Sequence, residues 1–269
     1  SDTLASGSSY AAVRVTALAA RFLAAHPHWR ASELKAAIFD RALPYPETTA
    51  AGAGFIPRPD RAERLPPMSH DGPLVIVEST VLVASDAGPD AQGAVTHVLK
   101  PVFAYFQGTE WTRERLARDA RRVAQIFAQC GVSVPKIAVH SLAGPAAFHY
   151  FHDSISRELV RRLALPKPTV YFVRDTLQSV AFDAEAIGHG NSATRPELRD
   201  TVWVTEKITD SDIAVAHELA HVLMDSGSHV DLQANLMRAR TAPENTRLTA
   251  RQCDKIIQNA TENGLLPRD

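Results

Sequence analysis

Two histidines, His217 and His221, stand four residues apart, with Glu218 directly after the first. On a helix, positions four apart share a face, so both imidazoles can reach one metal ion. Glu218 then occupies a neighbouring position, near the metal but not on it. There it can take a proton from a zinc-held water, whose pKa the metal lowers toward neutrality. The bland alternative for the same residues is a helix whose two histidines are satisfied by ordinary packing.

The surrounding pattern fits a helix. An apolar stretch, Thr201–Thr205, reads as a strand. It leads into the polar start Thr209-Asp210-Ser211-Asp212 and then into Ile213–Val215, a helix with a capped, acidic N-terminus. Gly227 can end this helix with positive φ and turn the chain back, which makes His229 available as a third ligand. Asp225 shares a helix face with His217 and His221, but eight residues of helix rise about 12 Å, whereas a ligand atom sits about 2 Å from zinc. Asp225 therefore reads as a helix-end group, or as one that orients a ligand imidazole. Thr249 with Gln252 three residues on is a capping-box pattern for a final helix carrying Ile256 and Ile257.

Three zones precede or hold these residues. In 1–43, Val15, Leu18, Ala19, Phe22 and Leu23 recur at helical spacing, and Ser32 caps a second expected helix, Glu33 to Ala42. In 44–73, seven of the chain's 17 prolines predict an extended linker or wrapping arm, with an ordered packed loop as the alternative. Residues 74–269 read as an α/β domain. Leu74–Val83 is β-branched and apolar, which predicts a central strand. Thr112 caps a helix placing Leu116, Ala120, Val123, Phe127 and Cys130 on one face, and Gly131 ends it. Lys136–Val139, Thr169–Val173 and Ser179–Phe182 are further expected strands.

The run His217-Glu218-Leu219-Ala220-His221, with Gly227, His229 and Asn235-Leu236-Met237, resembles the metzincin-type zinc metallopeptidases. The resemblance covers residues 74–269. It implies an α/β (α+β) domain with a twisted mixed sheet, a long helix and an active-site helix. It also implies Zn2+ held by His217, His221 and His229, Glu218 as the catalytic base, and Met237 in a methionine turn beneath the metal. The peptide or protein substrate would add to an edge strand, for which Ser179–Gly188 is the candidate. The family places its glycine where Met224 stands here, which implies an active helix about one turn longer, or bent, before His229 arrives.

Residues 5–42, with Gly7-Ser8-Ser9-Tyr10-Ala11-Ala12, His26-Pro27-His28-Trp29 and Ser32–Ile38, resemble the nucleophile segment of subtilisin-type serine peptidases. This implies Ser9 as a vestigial nucleophile, because the family's base and acid precede the serine and this chain has almost nothing before it. The chain then reads as the C-terminal part of a longer subtilase–metallopeptidase fusion, associated with a missing subtilase portion, or the segment is a structural helical pair. The start at Ser1 rather than Met is read as processing or truncation and leaves the compartment open.

Composition narrows the partners. A net charge of −1 rules out a broadly basic nucleic-acid surface, and 45% hydrophobic residues suffice for a core. No run of 18 apolar residues exists to span a membrane. Cys130 and Cys253 can form at most one bridge. His149 and His152 read as a surface pair, and Arg118, Arg121 and Arg122 as a solvated face. The leading expectation is a zinc endopeptidase. Its rivals are a catalytically silent, zinc-containing peptide-binding module, and an arm over residues 1–73 in which His70 or Asp71 blocks the metal.

Overall fold

The computed structural model describes residues 70–84, 97–177 and 182–266, with scattered residues between 16 and 38. The chain divides into two compact units, Ser1–Pro67 and Met68–Asp269. In the first, residues 18–24 are helical, as are Leu34 and Ile38. Ser9, most of the expected second helix and residues 179–181 of an expected strand lie outside the described residues.

The second unit is a mixed α/β layer structure. Six strands form one sheet: β1 (Val75–Val83), β2 (Val102–Phe106), β3 (Lys136–Ala143), β4 (Thr169–Val173), β5 (Ala184–Ile187) and β6 (Thr201–Thr205), in the order β1-β3-β2-β4-β6-β5. The four inner strands run parallel, and β1 and β5 pair antiparallel at the two edges. A sheet of this kind twists, and its parallel centre must be covered on both faces. The alternation along β4 and β6 shows that cover: Val170, Phe172, Val202 and Val204 face one apolar cluster, while Tyr171, Val173 and Trp203 face the other.

Three helices cover the first face: α1 (Arg113–Ala128), α3 (Ser211–Met224) and α4 (Ala250–Glu262). The second face is covered by α2 (Asp153–Leu163) and the segment around Phe148 and Phe151. Helix α1 follows its sequence pattern. Thr112 accepts a bond from the Arg115 N–H at 3.2 Å, the expected apolar face is buried, and Gly131 takes φ +69° just past the end. In α4 the capping box of Thr249 and Gln252 is complete. Cys130, at the end of α1, is bonded to Cys253 in α4.

Two expectations are corrected. Among the described residues β1 is an edge strand, not a central one, and Val75, Val77, Val81 and Val83 are exposed. A run of β-branched residues reports a pleated strand but does not say whether neighbours cover it. Helix α3 stops at Met224, so it does not run the extra turn that Gly227 suggested. Asp225 itself takes the left-handed turn at φ +44°, while the Ser226 N–H bonds the His221 carbonyl at 3.1 Å and the Asp225 N–H bonds that of Val222 at 3.1 Å. This is a Schellman closure made with Asp, one of the few residues besides Gly that tolerate the left-handed region. No helix among the described residues is long and apolar enough to cross a membrane.

Candidate metal centre

Helix α3 is apolar on almost every side and lies buried between the sheet, α1 and α4. That burial fixes the ring positions of His217 and His221. Their Nε2 atoms lie 3.0 Å apart. After the turn at Asp225 the chain doubles back, and His229 brings its own Nε2 to 3.2 Å from each of the other two. Among the described residues, these three form the one cluster able to offer a metal three nitrogen or oxygen ligand atoms.

The other nitrogens explain the aim. His217 Nδ1 donates to the Leu236 carbonyl at 2.6 Å, and His221 Nδ1 donates to the Ser226 carbonyl. A neutral imidazole has one N–H. With that proton on Nδ1, His217 and His221 point lone pairs at each other. Two lone pairs at 3.0 Å repel unless a cation lies between them. Zinc–nitrogen bonds of about 2.0–2.1 Å in tetrahedral array would set such nitrogens roughly 3.3 Å apart, close to the observed triangle. The residues therefore fit a metal ion, and His229 is the exposed member of the three.

Electrostatics agrees. Burial, reinforced by the neighbouring histidines, lowers His217 to about 4 and His221 to about 3. His229 is also lowered by burial. At neutral pH the rings are in the uncharged, ligating form.

Glu218 follows His217 and turns toward β5, where the Ala186 N–H bonds its carboxylate. Burial, then the nearby charge of Glu185, raises Glu218 to about 8. Glu185 on β5 is raised to about 7, again by burial first. β5 lies within the expected edge segment, and among the described residues it pairs with β6 alone, from Thr201↔Ile187 to Val204↔Ala184. Its other edge is turned toward the Glu218 side of α3.

No protein-family model matches the chain, and no curated protein sequence matches it. Among solved structures it is similar to metalloproteinase-II from Bacteroides fragilis, at 16% identity and a TM-score of 0.46, over 62% of this chain and 54% of that one. The chain thus spans about half the length of that protein.

The remaining expected residues fall as follows. Asp225 hydrogen-bonds neither His217 nor His221; the Leu236 and Ser226 carbonyls hold those rings, and the Asp225 carboxylate accepts the Gly190 N–H at 2.7 Å. Met237 is fully buried in the cluster that holds α3, in a turn where its N–H donates to Asn235 Oδ1 at 2.9 Å. His149 is half-buried, its ring 4.7 Å from that of Phe106. His152 precedes α2 and meets Ser154 at 3.0 Å. His70 sits edge-on to Phe148, a side chain of the apolar cluster on the sheet face opposite α3. Arg118 and Arg122 are not merely solvated. Arg118 donates to Ser211 Oγ at 3.1 Å and Arg122 pairs with Asp212 at 3.0 Å, both at the start of α3.

Sequence reasoning missed every contact made by backbone: the carbonyls of Leu236 and Ser226 and the N–H groups of Ala186 and Gly190. No residue type signals these. It also missed the burial of Asp119, which lies fully buried under the start of α3 and accepts from Ser211 Oγ at 3.0 Å. A polar residue in the apolar stripe of α1 was the available signal.

Proposed function

We propose that this chain is a zinc-dependent metallopeptidase that hydrolyses peptide bonds, with His217, His221 and His229 as metal ligands and Glu218 as general base. One observation carries the reading: two imidazoles whose protons are committed to carbonyls aim bare Nε2 atoms at each other and at a third. Bound there, zinc would act as a Lewis acid and lower the pKa of a coordinated water.

The chain's own residues do the rest. Glu218 accepts the proton of the attacking water and passes it to the leaving amine. A dication nearby would draw its raised pKa back down and so favour the carboxylate form. The outer edge of β5 carries no further strand among the described residues, and an extended peptide would add there beside Ala186, whose N–H and carbonyl already bond Glu218 and the Asn191 side chain. Met237 serves as buried support for the turn that carries the Leu236 carbonyl. Three protein nitrogens would leave a zinc its fourth position for water, whereas a structural zinc closes all four positions with protein ligands.

The test is elemental analysis of the purified chain together with cleavage of a denatured protein substrate. The expected result is about one zinc per chain, with cleavage that stops on chelation and returns when zinc is restored. A folded chain with no affinity for zinc would end this reading.

A further inference from the structure

The turn carrying the Leu236 carbonyl is not part of any helix or long strand, yet it must hold that oxygen 2.6 Å from His217 Nδ1. Two glutamines hold it. Gln252, in the first turn of α4, forms a reciprocal carboxamide pair with Asn235: Asn235 Nδ2 donates to Gln252 Oε1 at 2.9 Å, and Gln252 Nε2 donates to Asn235 Oδ1 at 3.0 Å. The same Asn235 Oδ1 accepts the Met237 N–H, so both flanks of Leu236 are fixed. On the far side the Leu236 N–H donates to the Arg247 carbonyl at 2.7 Å, and the Arg247 N–H to that of Ala234 at 2.9 Å. Gln129 secures this second segment: its Nε2 donates to the Thr246 carbonyl at 2.8 Å and its Oε1 accepts the Leu248 N–H at 3.3 Å. Gln129 and Gln252 immediately precede Cys130 and Cys253, the two ends of the disulfide.

We propose that Gln252 is a positioning residue for the metal centre. Through Asn235 it sets where the Leu236 carbonyl stands, and that carbonyl sets the tautomer and angle of the His217 ring. Gln129 and the disulfide keep the two segments in register around it. The inference rests on reading the three histidines as a zinc site. Groups that orient a ligating histidine typically change metal affinity by about 10–100-fold when removed.

Gln252 also caps α4, accepting the Thr249 N–H at 2.8 Å, so the test must separate the two roles. Gln252→Glu keeps the acceptor for the cap but loses the donor to Asn235 Oδ1. Thr249→Ala removes the threonine side of the cap and leaves the carboxamide pair in place. Zinc affinity is measured by competition with a chromophoric chelator, and ligand geometry by the visible spectrum of the Co2+-loaded chain. Gln252→Glu and Gln252→Met are expected to lose about 10–100-fold in zinc affinity and to alter the Co2+ spectrum, while Thr249→Ala stays near wild type in both. Should Gln252→Met fail to fold, Gln252→Glu carries the test alone. Gln252→Glu binding zinc as tightly as wild type, with an unchanged spectrum, overturns the inference but not the metal site. A wild-type chain that binds neither metal overturns both.

Discussion

The carboxylate of Asp225 holds the backbone of Gly190, Oδ1 accepting the N–H at 2.7 Å. This bond ties the end of α3 to the loop that follows β5. The fit is close: a Cβ on Gly188 would stand 3.1 Å from the same oxygen. Asp225 therefore has two roles, as the left-handed residue that ends α3 and as a clamp on the edge strand. Asp225→Gly keeps the turn and removes the clamp. It should leave zinc content unchanged and raise KM for peptides several-fold more than it lowers kcat. Asp225→Asn, which keeps the acceptor, should behave like wild type. Equal kinetics for the glycine variant and wild type would show that the clamp does not matter to substrate.

His229→Ala should weaken zinc binding far more than Asp225→Ala. His229 Nε2 completes the triangle at 3.2 Å from both partners, whereas Asp225 bonds elsewhere. Chelator competition on the two variants checks this, and the reverse order would exchange their roles.

Glu218→Gln should keep the metal and lose turnover. The three histidines stay, and the group proposed to move the proton is gone, a loss that typically costs about 10²–10⁴-fold in rate. Zinc content and kcat measured on the same preparation decide it; undiminished cleavage would remove Glu218 from the mechanism.

Asp119 makes stability depend on pH. Burial raises its carboxyl from 3.8 to about 6, against the opposing effects of Ser211 and Arg118. Asp212 pushes it up as well, and Arg115 down. A group raised on folding binds more protons folded than unfolded. Its contribution is fully present below 3.8 and is lost as pH rises through about 6. Asp119→Asn lacks that loss while keeping an acceptor for Ser211. The difference in Tm between variant and wild type should thus move in the variant's favour across that window. Melts of the metal-free chain at several pH values test it, and a difference independent of pH would contradict it.

The site was legible where side chains carry it. Four-residue spacing put His217 and His221 on one helical face, and a histidine past the turn supplied the third nitrogen. The covering helices were legible for a similar reason, since Leu116 to Phe127 repeat at helical spacing and their caps have distinct residue types. The turn at Asp225 was not, because glycine is the usual mark of a left-handed residue and Gly227 drew the prediction two places on. The exposure of β1 was not legible either. Val75 to Val83 look the same whether or not another strand lies alongside, and only the strand order reveals that none among the described residues does.

The disulfide has a topological effect. Cys130 and Cys253 close a ring across 123 positions of sequence, and β5, all three histidines, Glu218 and the turn at Asn235 lie inside it. A single cut in any loop of that ring leaves the two pieces covalently joined, each still packed on the same core. Exposed loops are where nicks fall. One proteolytic nick within the ring would therefore release nothing: the nicked molecule would run as one chain until a reductant opened the bridge.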